Sequence, residues 1–80
     1  MAGRTKEERY LLAIYRLGKS RGDPHMELTM DEVAREIGFP RKSTENIVNR
    51  LAQGNFITKI DRETFELSAF GLQLAEELDR

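Results

Sequence analysis

The eighty residues include no cysteine, no tryptophan, one histidine and two prolines, and neither sign of charge is in useful excess: 13 Lys and Arg stand against 14 Asp and Glu. Each shortage excludes something. Without cysteine there is no disulfide, no thiolate metal site and no cysteine nucleophile, and nothing calls for an oxidising compartment. With one histidine, no glycine-rich phosphate loop and no carboxylate pair placed in a recognisable cleft, no catalytic constellation can be argued, so the chain is not expected to be an enzyme. A formal net charge of −1 excludes coating nucleic acid by bulk charge, which needs a concentrated positive field; any such binding must come from a local patch. The longest apolar run, "YLLAIY" at residues 10–15, is far shorter than the roughly 20 residues that cross a bilayer. The charged start "MAGRTKEER" lacks the apolar stretch of a signal peptide. The chain therefore reads as cytoplasmic, with no membrane partner.

With 39% hydrophobic residues and no low-complexity tract, residues 1–80 read as one small domain, with 1–4 expected to be disordered. A domain of this size buries only roughly 60–65% of its unfolded surface and is marginal alone, which makes help from a partner chain plausible. Thr5 and Glu8 have capping-box spacing, and Tyr10, Ile14 and Leu17 then recur at i, i+4, i+7 until Gly18 and Gly22 end the pattern. Leu11, Leu12 and Tyr15 widen that stripe beyond what one core face requires. A second capping box, Thr29 to Glu32, opens a helix over 30–37 whose apolar positions are Met30, Val33, Ala34 and Ile37, closed by Gly38. A third helix over 41–53 follows Pro40, with Thr44, Ile47, Val48 and Leu51 at the same spacing. Two short amphipathic helices joined by Gly38, Phe39 and Pro40 form a helix-turn-helix signature, whose second helix is the candidate reader of a duplex.

Beyond Gly54 and Asn55 the period changes. "FITKI" and "TFELS" flank "DRE" and are rich in β-branched and aromatic residues, which predicts a hairpin over 56–68. Ser68 caps a last helix over 69–79 with Gly71, Leu74, Ala75 and Leu78 inward. A minimal strand at "ELT" before the second helix can complete a three-stranded sheet, because a lone hairpin is marginal. The expected class is mainly α with a small β-hairpin, in the order helix, short strand, helix, helix, hairpin, helix. This is a winged helix-turn-helix.

If Thr44, Ile47, Val48 and Leu51 face inward, then Lys42, Asn46, Asn49 and Gln53 line the opposite face, with Arg41, Ser43, Glu45 and Arg50 at its margins. Asn and Gln suit adenine, Arg and Lys reach guanine or phosphate, Glu accepts from cytosine, and Ser bonds phosphate. Any solvated helix face is polar, so charge distribution discriminates better. Residues 37–53 carry Arg41, Lys42 and Arg50 against Glu45, and the first twenty carry Arg4, Lys6, Arg9, Arg16 and Lys19 against Glu7 and Glu8. Residues 21–36 carry Arg21 and Arg35 against Asp23, Glu27, Asp31, Glu32 and Glu36. Acid is thus set apart from the reader along the chain. On the wing, Lys59 and Arg62 are the candidate contacts to backbone or minor groove, with Asp61 and Glu63 beside Arg62.

"YLLAIYRL", "LTMDEVAREIGFPRKSTENIVNRLAQGNFI" and "FELSAFGLQLAEEL" together resemble the winged-helix DNA-binding domain of MarR-type regulators and of DtxR/MntR-type metal-dependent repressors. The resemblance implies a small transcriptional regulator that binds double-stranded DNA sequence-specifically through residues 41–53. Those families usually carry a serine or threonine cap where this chain has Pro40, and small hydroxyl or basic residues where it has Glu45 and Asn46. In the metal-dependent repressors, helices beyond the winged helix supply most metal ligands, so no metal or cofactor is expected here; His25 reads as a solvated loop side chain. For any one of the surplus apolar residues Leu11, Leu12 and Tyr15 on the first helix and Phe70 and Leu72 on the last, core burial is the simpler reading; taken together they point to a homodimer through these helices. The alternative is a winged helix used for protein–protein interaction without DNA binding, favoured by the acidic balance, the apolar first helix and Glu45.

Overall fold

A computed structural model describes residues 5–80; the disorder expected at 1–4 lies outside the described residues. The chain runs α1 (Lys6–Ser20), β1 (Leu28–Thr29), α2 (Met30–Ile37), α3 (Arg41–Gln53), β2 (Ile57–Lys59), β3 (Thr64–Leu67) and α4 (Ala69–Leu78). Three of the four helix starts are capped by a side chain. Thr5 and Thr29 form complete capping boxes with Glu8 and Glu32, and the Ser68 hydroxyl accepts from the Gly71 amide. Gly38 ends α2 at φ 80°, the left-handed conformation that costs glycine nothing.

α3 starts differently. Pro40 occupies the N-cap and offers no side-chain hydrogen bond. One turn in, the buried Thr44 hydroxyl donates to the Pro40 carbonyl at 3.2 Å and lies 3.1 Å from the Tyr10 hydroxyl, which therefore donates to it. Both Tyr10 and Thr44 are fully buried, so this chain of hydroxyls pins α3 to α1 while satisfying polar atoms that burial would otherwise penalise.

The sheet order is β1-β3-β2, antiparallel throughout, with Leu28 opposite Phe65 and Ile57 opposite Leu67. The two-residue strand at Leu28–Thr29 realises the expected third strand, one residue shorter than "ELT". The wing turn is organised by Asp61, whose Oδ1 accepts from the amides of Glu63 and Thr64, each at 2.8 Å. Hydrogen bonding by Thr64, then by the Glu63 amide, holds the Asp61 carboxyl below its ordinary value.

α1 packs against α2, α3 and α4, and its central place corrects one expectation. Leu11, Leu12 and Tyr15 are core residues of the single chain, at most 5% exposed, because a helix with neighbours on three sides needs a wide apolar face. The inward stripe of α3, Thr44, Ile47, Val48 and Leu51, is buried as expected. α4 seats on the base of the hairpin through Gly71: a Cβ there would stand 1.9 Å from the Phe56 carbonyl oxygen. The His25 expectation is also corrected. Its Nδ1 lies 2.7 Å from the Leu67 carbonyl oxygen and the ring is partly buried, because β1–β3 pairing draws the preceding loop alongside Leu67.

Candidate nucleic-acid interface

The burial of one α3 face fixes what the other shows. Lys42, Asn46, Asn49 and Gln53 are all exposed, in one row along the helix. No acid belongs to that row. Ser43 and Glu45 are half-buried at its edges and Arg50 is exposed. The sequence reading therefore places the α3 side chains correctly as a surface.

Most of the expected cations, however, are already engaged. Arg41 donates to three carboxylates: Asp31 at the start of α2 at 3.0 Å, Glu45 one turn along α3 at 3.2 Å, and Glu63 at the wing tip. The hydrogen bond to Glu63 is the main cause, with Asp31 and Glu45 adding, of a guanidinium pKa raised above its ordinary value. Arg50 approaches Glu7 of α1 at 3.4 Å, and Lys59 donates to the Asn49 carbonyl oxygen at 3.0 Å. Lys42 and Arg62 are exposed, and their side chains make no hydrogen bond or ion pair among the described residues.

This revises the charge argument. Acid is separated from α3 along the chain but not in space, because the helix-turn-helix angle brings Asp31 to Arg41 and the wing brings Glu63 there too. Glu45 is in turn partly neutralised by Arg41, which reduces its opposition to a phosphate. Asp61 and Glu63, both flanking Arg62, have structural duties at the wing tip. Surface pairs of this kind are individually weak, about 0–1 kcal/mol, so each remains open to competition from a stronger anion.

Two clefts flank α3. One, of about 240 Å³, lies towards α1 and is lined by Lys6, Tyr10, Phe39, Ser43, Asn46 and Arg50 among others. The other, of about 220 Å³, lies towards the wing between Glu45 and Asn49 of α3 and Lys59, Arg62 and Glu63 of the hairpin. Lys6 was not singled out from the sequence, where its only signal is the basic excess of the first twenty residues. No group of three or more His, Asp or Glu able to hold a metal ion occurs among the described residues, and no described helix is long and apolar enough to cross a membrane.

No protein-family model matches the chain, and no curated protein matches it. Solved structures do. Ligand-free NadR shares the fold with a TM-score of 0.69 at 24% identity, over 94% of this chain and 52% of its own. MepR, a transcription regulator of the Staphylococcus aureus multidrug efflux pump MepA, does so with a TM-score of 0.70 at 20% identity, over 94% of this chain and 55% of its own. The present chain spans about half the length of each. At these identities the likeness is one of fold, and the fold is a winged helix-turn-helix.

Proposed function

We propose that the chain is a sequence-specific binder of double-stranded DNA, acting as a small transcriptional regulator or as the DNA-binding part of one, with α3 in the major groove and the wing against the backbone or minor groove. The observation that carries this is the row Lys42, Asn46, Asn49 and Gln53: all four are exposed hydrogen-bonding side chains, without an acid among them, on a helix whose reverse face is buried in the core. A 13-residue helix is about 20 Å long, and the major groove, about 12 Å wide, admits it. The fold shared with a transcription regulator supports the same reading, and a cytoplasmic location belongs to the proposal. Nothing in it calls for catalysis.

Lys42 and Arg62, the two expected contact cations without a partner among the described residues, supply phosphate contacts, and Asn46 and Asn49 supply base contacts. Arg41 and Ser43 add contacts at the helix start, with Glu45, Arg50 and Lys59 at the margins. The test is a titration of labelled protein with duplex DNA at increasing salt. Affinity should fall with a log–log slope of about −0.9 for each phosphate neutralised. Binding that ignores salt, or no binding to any duplex of a randomised library, refutes the proposal.

One observation favours the protein-interaction reading: Phe70 and Ile60 are 55% and 46% exposed. Phe70 stacks on Phe56 with ring centroids 4.9 Å apart and leaves its outer face bare. With the apolar residues of α1 already committed to the core, the proposed homodimer rests on α4, through Phe70 and Leu72. Two copies joined there by a twofold axis present two readers to successive half-sites. A strictly monomeric protein at micromolar concentration in analytical ultracentrifugation, with and without DNA, is incompatible with that pairing.

A further inference from the structure

Lys59 lies two residues beyond the buried Ile57 on β2. Side chains two apart on a strand share a face, so Lys59 points towards the helices from the wing rather than away from them. Its ammonium reaches Asn49 on α3 at 3.0 Å, inside the cleft that also holds Glu45, Arg62 and Glu63. An ammonium has three donors and no acceptor, so the Asn49 atom facing it is the carbonyl oxygen. The Asn49 NH2 group is thereby directed away from the wing, as a donor on the exposed face of α3.

We propose that Lys59 is a positioning residue that sets which base Asn49 selects, making Asn49 a reader of guanine rather than of adenine. A free asparagine pairs bidentately with adenine, its oxygen accepting from N6–H2 and its nitrogen donating to N7. Here the oxygen already accepts from Lys59, which leaves one of its two lone pairs and weakens it as an acceptor for a base, while the nitrogen keeps both donors free. Guanine offers two acceptors in the major groove, O6 and N7, and both suit an NH2 donor; adenine offers one, beside an N6–H2 that meets an already engaged oxygen, thymine offers one, O4, beside its methyl group, and cytosine offers only a donor. The ammonium behind Asn49 adds positive potential, which favours the same acceptor edge of guanine. The proposal rests on the DNA-binding reading above, with Lys59 acting through Asn49 rather than on the backbone.

The test compares the parent protein, Lys59→Met and Asn49→Ala on duplexes chosen by selection from a randomised library, with all four bases placed in turn at each position. Lys59→Met keeps the apolar stem and removes the donor. At one position the parent should prefer guanine over adenine by about fivefold or more, within the range of about 5- to 140-fold expected of a good base contact. Lys59→Met should erase or invert that preference, and Asn49→Ala should abolish it with or without Lys59. In the free protein, the Asn49 side-chain amide resonances should move on Lys59→Met while those of Asn46 stay in place. Uniform weakening on every duplex with base preference unaltered makes Lys59 a phosphate contact and overturns the proposal, as do Asn49 resonances that do not move. A parent protein that binds no duplex overturns the DNA-binding reading, and this assignment with it.

Discussion

Replacing Thr44 with Val keeps the volume and removes one oxygen from a site where Tyr10 and Thr44 are both fully buried. The loss is asymmetric. The Pro40 carbonyl still accepts from the Thr44 amide at 3.1 Å, so it stays satisfied, whereas the Tyr10 hydroxyl loses the partner that stood 3.1 Å away. Leaving a buried hydroxyl without a partner costs about 1–3 kcal/mol. A domain of this length loses about 4–8 °C per kcal/mol, so a cost of about 2 kcal/mol lowers Tm by about 8–16 °C. Adding Tyr10→Phe to the Thr44→Val chain should restore about 1 kcal/mol, because no hydroxyl is then left wanting, and the double-mutant cycle should show a coupling of that order. The assay is urea denaturation of the four proteins, followed by circular dichroism, with unchanged m values as the condition for comparison. A Thr44→Val protein within about 0.5 kcal/mol of the parent, or costs that simply add, refutes the claim that this pair anchors α3.

Three further outcomes follow from the same structure. Gly71→Ala should destabilise by about 2 kcal/mol despite better helix propensity, because relieving the 1.9 Å approach to the Phe56 carbonyl costs about 3 kcal/mol and the alanine returns only about 1; a Tm at or above the parent's contradicts this. Asp61 and Glu32 both have carboxyl pKa values lowered below their ordinary 3.8 and 4.5. For Asp61 hydrogen bonding by Thr64 is the chief cause; for Glu32 burial opposes the shift, and hydrogen bonds from Arg21 and Thr29 outweigh it. Groups depressed on folding add stability that is complete above their ordinary values and is lost as the pH falls through the folded ones. Denaturation midpoints should therefore hold steady down to about pH 5 and fall below it, and Asp61→Asn should make the fall shallower; an unchanged profile removes Asp61 from the account. Lys42→Ala should weaken binding to all duplexes and reduce the salt slope by about 1, while Asn46→Ala should relax preference at one base pair. Identical, sequence-independent losses from both would deny Asn46 its role as a base reader.

The helix-turn-helix was legible because its signals are local. Capping pairs three residues apart, apolar spacing of one helical period, and Gly38 at a positive φ all act within a turn of chain. The buried set Thr44, Ile47, Val48 and Leu51, and hence the outward row of α3, follow from the same periodicity. What was not legible is what distant elements bring together. Glu63 meets Arg41 across 22 residues, His25 meets Leu67 across 42, and Glu7 meets Arg50 across 43; no spacing rule connects such pairs. The destination of the surplus on α1 is open in the sequence for a related reason: periodicity reports that a face is apolar, not how many neighbours it serves. Pro40 departs from the usual cap, and the first amides of α3 gain no side-chain acceptor from it; Thr44, hydroxyl-bearing in an apolar stripe, instead ties that end of the helix to α1 through Tyr10. The hairpin turn at "DRE" is legible in the sequence, whereas the part of Asp61 in it, as acceptor for the Glu63 and Thr64 amides, comes from the structure.

The claim that α3 reads DNA is tested most directly by mapping amide and side-chain shifts in the labelled protein as a selected duplex is added at low salt. The account predicts the largest changes along Lys42 to Gln53, smaller ones at Arg62 on the wing, and little on the buried residues of α1. Changes centred instead on Phe70 and α4, with Asn46 and Asn49 unmoved, would contradict it.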